Sequence, residues 1–408
     1  MNISETITCN TETLCTAAGK CGGCIFQGVS YADQYKEKDR EVRRLLDKHD
    51  IDGSVYLGME PAISTGGYRN KMEYTFGDLE KGGELELGMH LKGRFMSIIT
   101  TDECQIVPHA FNVIQRAVLD FCRRNRYTFF HRKAHMGLLR NLVVRCGVGT
   151  GELLIDIVTT SEPGFDEDGF RDLLLGLDLR SDEERENGST GMKIVGILHT
   201  INDSIADAVI DQGTNILYGR DYYNESILGL KFKVKAFAFF QTNIEAVERL
   251  YSDLLEVIPD VSGKVAYDLY CGTGTISQLM SHAAKEVYGI DIVEDSITAA
   301  RSNTELNGIT NCHYICGDVK EKLDEIPVKP DVIVVDPPRA GIHHKAVAML
   351  CDYGIDEIVY VSCNPKTLCI DLDGFRARGY EIKSIKAYDN FPMTKHVECV
   401  VLMSRAGR

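Results

Sequence analysis

The chain has 408 residues, 44% of them apolar, which is enough for two or three domains with sizeable cores. Its formal net charge of −15 excludes a general nucleic-acid sponge, because bulk affinity for phosphate needs Lys and Arg, although a local basic face stays open. No apolar run approaches the ~20 residues of a membrane span. The start, "MNISETITCN", lacks the basic-then-apolar order of a secretory signal, so a cytoplasmic protein without membrane association is expected.

The first 27 residues are polar, and "CTAAGKCGGC" crowds Cys15, Cys21 and Cys24 together. In a reducing compartment the 14 cysteines are free thiols, and a cluster of them points to a metal site before a disulfide framework. "YADQYKEKDREVRRLLDKH", Tyr31 to His49, has a helical pattern. Further on, "YRNKMEYTFGD", "ELELGMHLKGRFMSIIT", "NLVVRCGVGTGELLIDIVTT" and "KIVGILHTIND" predict strands joined by Gly-rich turns, with Gly147 to Glu152 as a hairpin turn. "RSDEERENGSTG", Arg180 to Gly191, predicts an exposed loop.

Residues 121–151 hold seven Lys or Arg and no acid, interleaved with Tyr127, Phe129 and Phe130. Cations for phosphates beside aromatics for unstacked bases suit single-stranded RNA. A solvated helix face whose aromatics enter the core fits the pattern nearly as well.

After residue 231, "KVAYDLY", "EVYGID", "DVIVVD" and "EIVYVSC" alternate with helical stretches such as "VEDSITAARSNTELNG", which predicts a parallel, doubly wound sheet. Three segments result: 1–54 (cysteine-rich segment and helix), 55–230 (β-rich) and 231–408 (α/β).

"YDLYCGTGTISQLM" places a strand, Gly272-x-Gly274 and a helix in order, and Asp291 follows 17 residues after Gly274. Glycines let the backbone approach a ligand at the strand's carboxyl end, and the acid can accept from ribose hydroxyls. NAD, FAD and S-adenosylmethionine all fit this much. Asp318 in "ICGDVKE" and Asp336 in "VVDPPRAG" stand at third and fourth strand ends, an order that suits a methyltransferase better than a dehydrogenase. The two prolines make a rigid turn that holds Asp336 at the rim of the site. Arg339-Ala340-Gly341 after them fits neither a DPPY-type amino methyltransferase nor a cytosine-5 enzyme. Cys363 ends another strand in "YVSCNPKTL", as a nucleophile or as an inert small hydrophobe. Glu398 opens an apolar strand in "NFPMTKHVECVVLM", as a base or as half of an ion pair.

With "CTAAGKCGGC", "YRNKMEY", "GELLIDIV", "FAFFQTN", "DLYCGTGT", "DPPRAG", "YVSCNP" and "FPMTKHVEC" in order, the chain resembles the RNA uracil-5 methyltransferases over nearly its whole length. The resemblance implies a Rossmann-like class I S-adenosylmethionine-dependent domain behind an amino-terminal iron–sulfur and β-rich part. It implies Cys363 as nucleophile and Glu398 as general base. Uracil C5 is too weakly nucleophilic to take a methyl group unaided. Thiolate addition at C6 makes C5 enolate-like, and after methylation a base must remove the C5 proton before Cys363 can leave. A lowered pKa is therefore expected for Cys363. The cofactor positions implied are Gln241, Tyr270, Thr275, Asp291, Asp318 and Asp336, with Asp291 one methylene shorter than the glutamate usual there.

Ribosomal RNA enzymes of this family carry a [4Fe-4S] cluster. The resemblance implies Cys15, Cys21, Cys24 and Cys104 (in "TTDECQIVP") as its ligands, with Cys9 a bystander and the role structural. Tetrahedral zinc takes the same four ligands, although it more often has two C-x2-C pairs. Only 14 residues precede Cys15, so the family's amino-terminal TRAM-type RNA-binding barrel is expected to be absent. The implied partner is 23S ribosomal RNA, with no obligate protein partner. A transfer RNA enzyme of the same chemistry is the nearest rival. An iron–sulfur, dinucleotide-dependent oxidoreductase leaves "YVSCNP" and "DPPRAG" without a task, and a non-catalytic RNA-binding module leaves Cys363 and Glu398 without one.

Overall fold

A computed structural model describes residues 14–205 and 210–407. Two sheets organise it. The alternating strands and helices of the C-terminal part build an eight-stranded sheet in the order Tyr56–Glu60, Tyr380–Tyr388, Glu398–Arg405, Glu357–Ser362, Val332–Val335, Val265–Leu269, Glu286–Asp291, Cys312–Cys316. Every pairing is parallel except those of Glu398–Arg405, which runs antiparallel to both neighbours. The central strands Val332–Val335 and Val265–Leu269 are buried throughout, as near-continuous apolar runs covered on both faces should be.

The second sheet has seven strands, in the order Arg94–Thr100, Leu85–Leu91, Lys71–Asp78, Leu139–Cys146, Glu152–Thr159, Lys193–Ile201, Thr214–Gly219. The expected hairpin closes at Gly147, whose N–H donates to the Glu152 carbonyl at 2.9 Å. Helices His109–Arg124 and Glu167–Leu175 bury Phe111, Ile114, Phe170 and Leu174 on one core with this sheet. The stretch Arg180 to Gly191 is not all loop. Ser181 and Glu184 form a reciprocal capping box that starts a short exposed helix, Asp182–Glu186.

Two features tie the N-terminal part to the C-terminal sheet. The strand Tyr56–Glu60, inside the segment assigned from sequence to the β-rich part, pairs with Tyr380–Tyr388. The helix Tyr31–Lys48, capped by Ser30 accepting from the Asp33 N–H, packs Val42, Leu45 and Leu46 into the same core as Tyr267 and Ile385. The hairpin Tyr222–Ile227/Leu230–Lys235 joins the two sheets, because its inner residues share a core with Leu154 and Leu198 on one side and Ala266 and Val332 on the other. Among the described residues no helix is long and apolar enough to cross a membrane.

Candidate active site

Ligands in open α/β sheets sit outside the carboxyl ends of the strands, where the strand order reverses. Here the reversal lies between Val265–Leu269 and Val332–Val335, and a cleft of about 1080 Å³ opens there. Gln241, Tyr270, Thr275, Asp291, Asp336, Cys363 and Glu398 all line it. Asp318 does not. It caps the short helix Val319–Lys322, accepts from the Lys320 N–H at 3.0 Å and pairs with the Lys320 ammonium at 3.2 Å.

The glycine turn is built for close approach. Tyr270, Gly272 and Gly274 have φ of 66°, 52° and 75°, so the chain turns through the left-handed region immediately after the strand. The Asp291 carboxylate holds this turn, accepting from the Gly272 N–H at 3.0 Å and from the Val293 N–H at 2.8 Å. Gly274 lies against Tyr314, and a Cβ there would sit 2.5 Å from the phenol oxygen. Gln241 belongs to a segment fixed from the other sheet. Asn70 Nδ2 donates to its carbonyl at 3.1 Å, and the buried Arg145 guanidinium donates to the carbonyls of Lys235, Ala236 and Ala238 just before it.

The antiparallel strand explains how Cys363 and Glu398 meet. Ser362 pairs with Cys399, so one step further Cys363 leaves its strand beside the first residue of the reversed strand, Glu398. Burial pushes the Glu398 carboxyl up to about 7, against the pull of the Arg339 guanidinium. Burial also pushes the Cys363 thiol up, to about 11, and the charges of Glu398 and Asp336 add to this while Arg339 opposes it. The lowered thiol pKa expected from sequence is thus not found in the free protein. Two carboxylates and loss of water outweigh one cation. Asp336 is raised as well, by burial and then by Glu398 and Asp268.

Comparison with known proteins gives this cleft its context. The family described as tRNA (Uracil-5-)-methyltransferase matches residues 205–406. The chain is 46% identical over 391 residues to an uncharacterized RNA methyltransferase of Clostridium acetobutylicum, covering 96% of this chain and 83% of the relative. It is 32% identical over 409 residues to another from Bacteroides thetaiotaomicron, covering 95% and 87%. The chain belongs to the RNA uracil-5 methyltransferase family. Among solved structures it resembles the Pyrococcus abyssi tRNA (uracil-54, C5)-methyltransferase in complex with S-adenosyl-L-homocysteine, with a TM-score of 0.74 and 26% identity over 94% of this chain and 85% of that one. It is a class I, S-adenosylmethionine-dependent RNA methyltransferase.

In this methyltransferase Cys15, Cys21, Cys24 and Cys104 line the same cleft at its N-terminal side. Cys9 lies outside the described residues. Among the described residues no three His, Cys, Asp or Glu side chains form a group that could hold a single metal ion. The donor set nonetheless suits a four-thiolate group. All four sulfurs are half-buried, and burial followed by the charges of Cys104, Cys21 and Cys15 pushes Cys24 up to about 12. Backbone N–H groups point at sulfur, from Gly23 to Cys21 at 3.3 Å and from Ile106 and Val107 to Cys104.

The basic stretch 121–151 divides between its two sequence readings. Tyr127 and Phe129 pack against the β-rich core. Arg140 lies over Phe130 and donates to the Asn202 and Ser204 carbonyls, Arg145 is fully buried, and Arg123 donates to the Leu85 carbonyl. Arg140 and Arg145 hold backbone from buried positions, while the exposed Arg123 also pairs with Glu84 and Glu86.

Sequence reasoning missed three contributors. Arg339 was quoted only to exclude other enzyme classes, yet it is the cation that opposes the charges at both Cys363 and Glu398. Its carbonyl accepts from Asn364 Nδ2 at 3.0 Å and Thr367 Oγ1 at 3.2 Å, which fixes it to the turn after Cys363. Asp268, a buried acid in a hydrophobic strand, was a visible signal. It accepts from Ser277 Oγ at 2.5 Å, and burial raises its pKa to about 6. The buried pair Lys38–Asp389, at 2.6 Å, anchors the segment leading to Glu398 and has no local sequence signature.

Proposed function

We propose that this enzyme methylates C5 of one uridine in 23S ribosomal RNA. Cys363 adds through Sγ to C6, and the C5=C6 electron pair moves into the C4 carbonyl as an enolate. C5 then takes the methyl group. Bound S-adenosylmethionine supplies that methyl and keeps the released electron pair on sulfur. Glu398 removes the C5 proton, the C5–H electrons restore C5=C6, and the Cys363 thiolate is expelled. Gln241, Tyr270, Thr275, Asp291 and Asp336 hold the cosubstrate, with Asp318 outside the cleft wall the weakest member of the set.

One observation carries the reading. A cysteine and a carboxylate poised near neutrality emerge side by side at the edge of the cofactor cleft. The flipped uracil must reach them there, since its C5 and C6 cannot be approached from both sides inside a stack.

Cys15, Cys21, Cys24 and Cys104 are proposed to hold a [4Fe-4S] cluster that ties the N-terminal loop to the β-rich sheet, and this set favours ribosomal RNA as substrate. The named substrate of the Pyrococcus enzyme favours the second reading, a transfer RNA uridine. Mapping 5-methyluridine by nuclease digestion and mass spectrometry in a deletion strain decides between them. Loss from 23S ribosomal RNA is expected, and loss from transfer RNA alone refutes the first reading. Anaerobically purified protein should carry about four irons per chain. Colourless protein with stoichiometric zinc would refute the cluster.

A further inference from the structure

The hairpin Leu85–Leu91/Arg94–Thr100 ends in a column of side chains that the active-site chemistry does not use. The Phe95 ring stacks on the His90 ring at 4.5 Å with 10° between their planes. The Arg132 guanidinium lies 4.5 Å over the same Phe95 ring. His90 Nδ1 and the Phe95 carbonyl are bonded at 2.6 Å, which ties the imidazole to the facing strand's backbone. Yet Phe95 is 58% exposed. An exposed aromatic held rigid between an imidazole and a guanidinium is an expensive way to decorate a surface, because it orders three side chains without burying them.

The charges around it are one-sided. Lys20, Lys92, Arg94 and Lys133 are exposed, and none forms an ion pair among the described residues. From Leu87 to Thr101, and again from Phe121 to Gly151, the chain has no acid. This is the opposite of the chain as a whole, with its net charge of −15.

The column also continues into the cleft. The Lys92 N–H donates to the Lys20 carbonyl at 2.7 Å, the Gly22 N–H to the His90 carbonyl at 3.4 Å, and Cys21 bridges to Leu91. Cys21, Gly22 and Met89 line the cleft that holds Cys363. The cysteine loop therefore connects the cleft that holds Cys363 to the column.

We propose that His90, Phe95 and Arg132, with Lys20, Lys92, Arg94 and Lys133 around them, form a docking ledge for the single-stranded RNA that flanks the modified uridine. An unstacked base extends the column beyond Arg132, and the lysines and Arg94 meet phosphates. Guanidinium and aromatic planes hold splayed bases in this way. The inference rests on RNA being the substrate. It is independent of which uridine is methylated.

The test uses the full-length protein and two probes: a fluorescein-labelled single-stranded RNA of mixed sequence and a 23S ribosomal RNA transcript. Anisotropy gives Kd for the first without turnover, and methyl transfer to the second gives KM and kcat. Arg94→Glu with Lys92→Glu changes only exposed side chains, and Phe95→Ala removes the centre of the column. Each variant should raise Kd and KM at least tenfold and leave kcat within twofold. Arg94→Ala should reduce the slope of log Kd against log salt by about one phosphate contact. S-adenosylmethionine affinity should not change. Kd and KM within twofold of the parent for both variants would overturn the ledge, and that is also the result if this surface serves a protein partner. A fall in kcat with Kd unchanged would overturn it too, assigning the column to support of the cysteine loop. Failure of the parent enzyme to methylate the transcript would refute the 23S reading, and the Kd comparison would still decide the ledge.

Discussion

Replacing Glu398 by Gln keeps the shape of the side chain and removes both its charge and its basicity. The carboxyl stands at about 7 against an ordinary 4.5, so burial disfavours its charge by ~3 kcal/mol at 1.36 kcal/mol per unit. For an acid raised in this way, the stabilising contribution is complete below pH 4.5 and is lost as pH rises through 7. Urea unfolding should therefore find Glu398→Gln close to the parent at pH 4.5 and more stable at pH 8 by ~3 kcal/mol, with relief of Asp336 from its charged neighbour adding to that gain. The chemistry should go the other way. With the methyl group transferred but the C5 proton retained, the variant should stall as a 5-methyl-5,6-dihydrouridine adduct bonded through C6 to Cys363, visible as a slow band on a denaturing gel. Cys363→Ala should give neither band nor methylated product. Loss of stability at pH 8 would mean that Glu398 serves as an ion-pair partner of Arg339, and turnover near the parent rate would place the base elsewhere.

Gly274→Ala should cost S-adenosylmethionine binding at least tenfold by calorimetry, since the new Cβ meets Tyr314 at 2.5 Å and φ is +75°. Unchanged affinity would move the cofactor away from this turn. Asp291→Ala should weaken the same binding by ~1–3 kcal/mol, because the carboxylate accepts from the Gly272 N–H of the turn and from the Val293 N–H of its own loop as well as facing the cleft. Affinity equal to the parent's would remove Asp291 from the site. Lys38→Met strands the buried Asp389 carboxylate and should lower stability by ~3–5 kcal/mol. A loss under 1 kcal/mol would show that the pair does not anchor the segment.

The C-terminal fold was legible because its signals are local. Short apolar runs, a glycine turn and strand-end acids repeat at the period of a doubly wound sheet, and seven of the eight residues assigned to catalysis and cofactor line one cleft. Long-range pairings were not legible. The strand Tyr56–Glu60 is only five residues long and finds its partner more than 300 residues later in the chain. The stretch 121–151 stayed open between two readings because composition counts cations without showing what they hold, and Arg140 and Arg145 hold carbonyls. The capping box Ser181–Glu184 that starts the small helix lies in a polar setting that reads as loop.

The thiol at about 11 poses the question that the sequence did not raise. The thiolate fraction at neutral pH is roughly 10⁻⁴, and moving the proton to Glu398 costs less than the ~5 kcal/mol gap between the two groups, because neutral Glu398 no longer repels the thiolate. Asp268, Asp336 and Glu398 all stand above their ordinary range, and Arg339 is the cation set against them in the titration of Cys363 and Glu398. The protein groups around Cys363 are therefore short of positive charge. A cosubstrate that carries a fixed sulfonium cation would supply what is missing, so the same acids that hold the thiol protonated in the free enzyme would favour binding of that cation. The thiolate would then be favoured only once the methyl donor is in place, which protects Cys363 from side reactions between turnovers. Geometry makes this coupling direct. The reversed strand sets Glu398 against Cys363, and the rigid Pro337-Pro338 turn carries both Asp336 and Arg339, so one short segment presents an acid and a base-stabilising cation to the same sulfur.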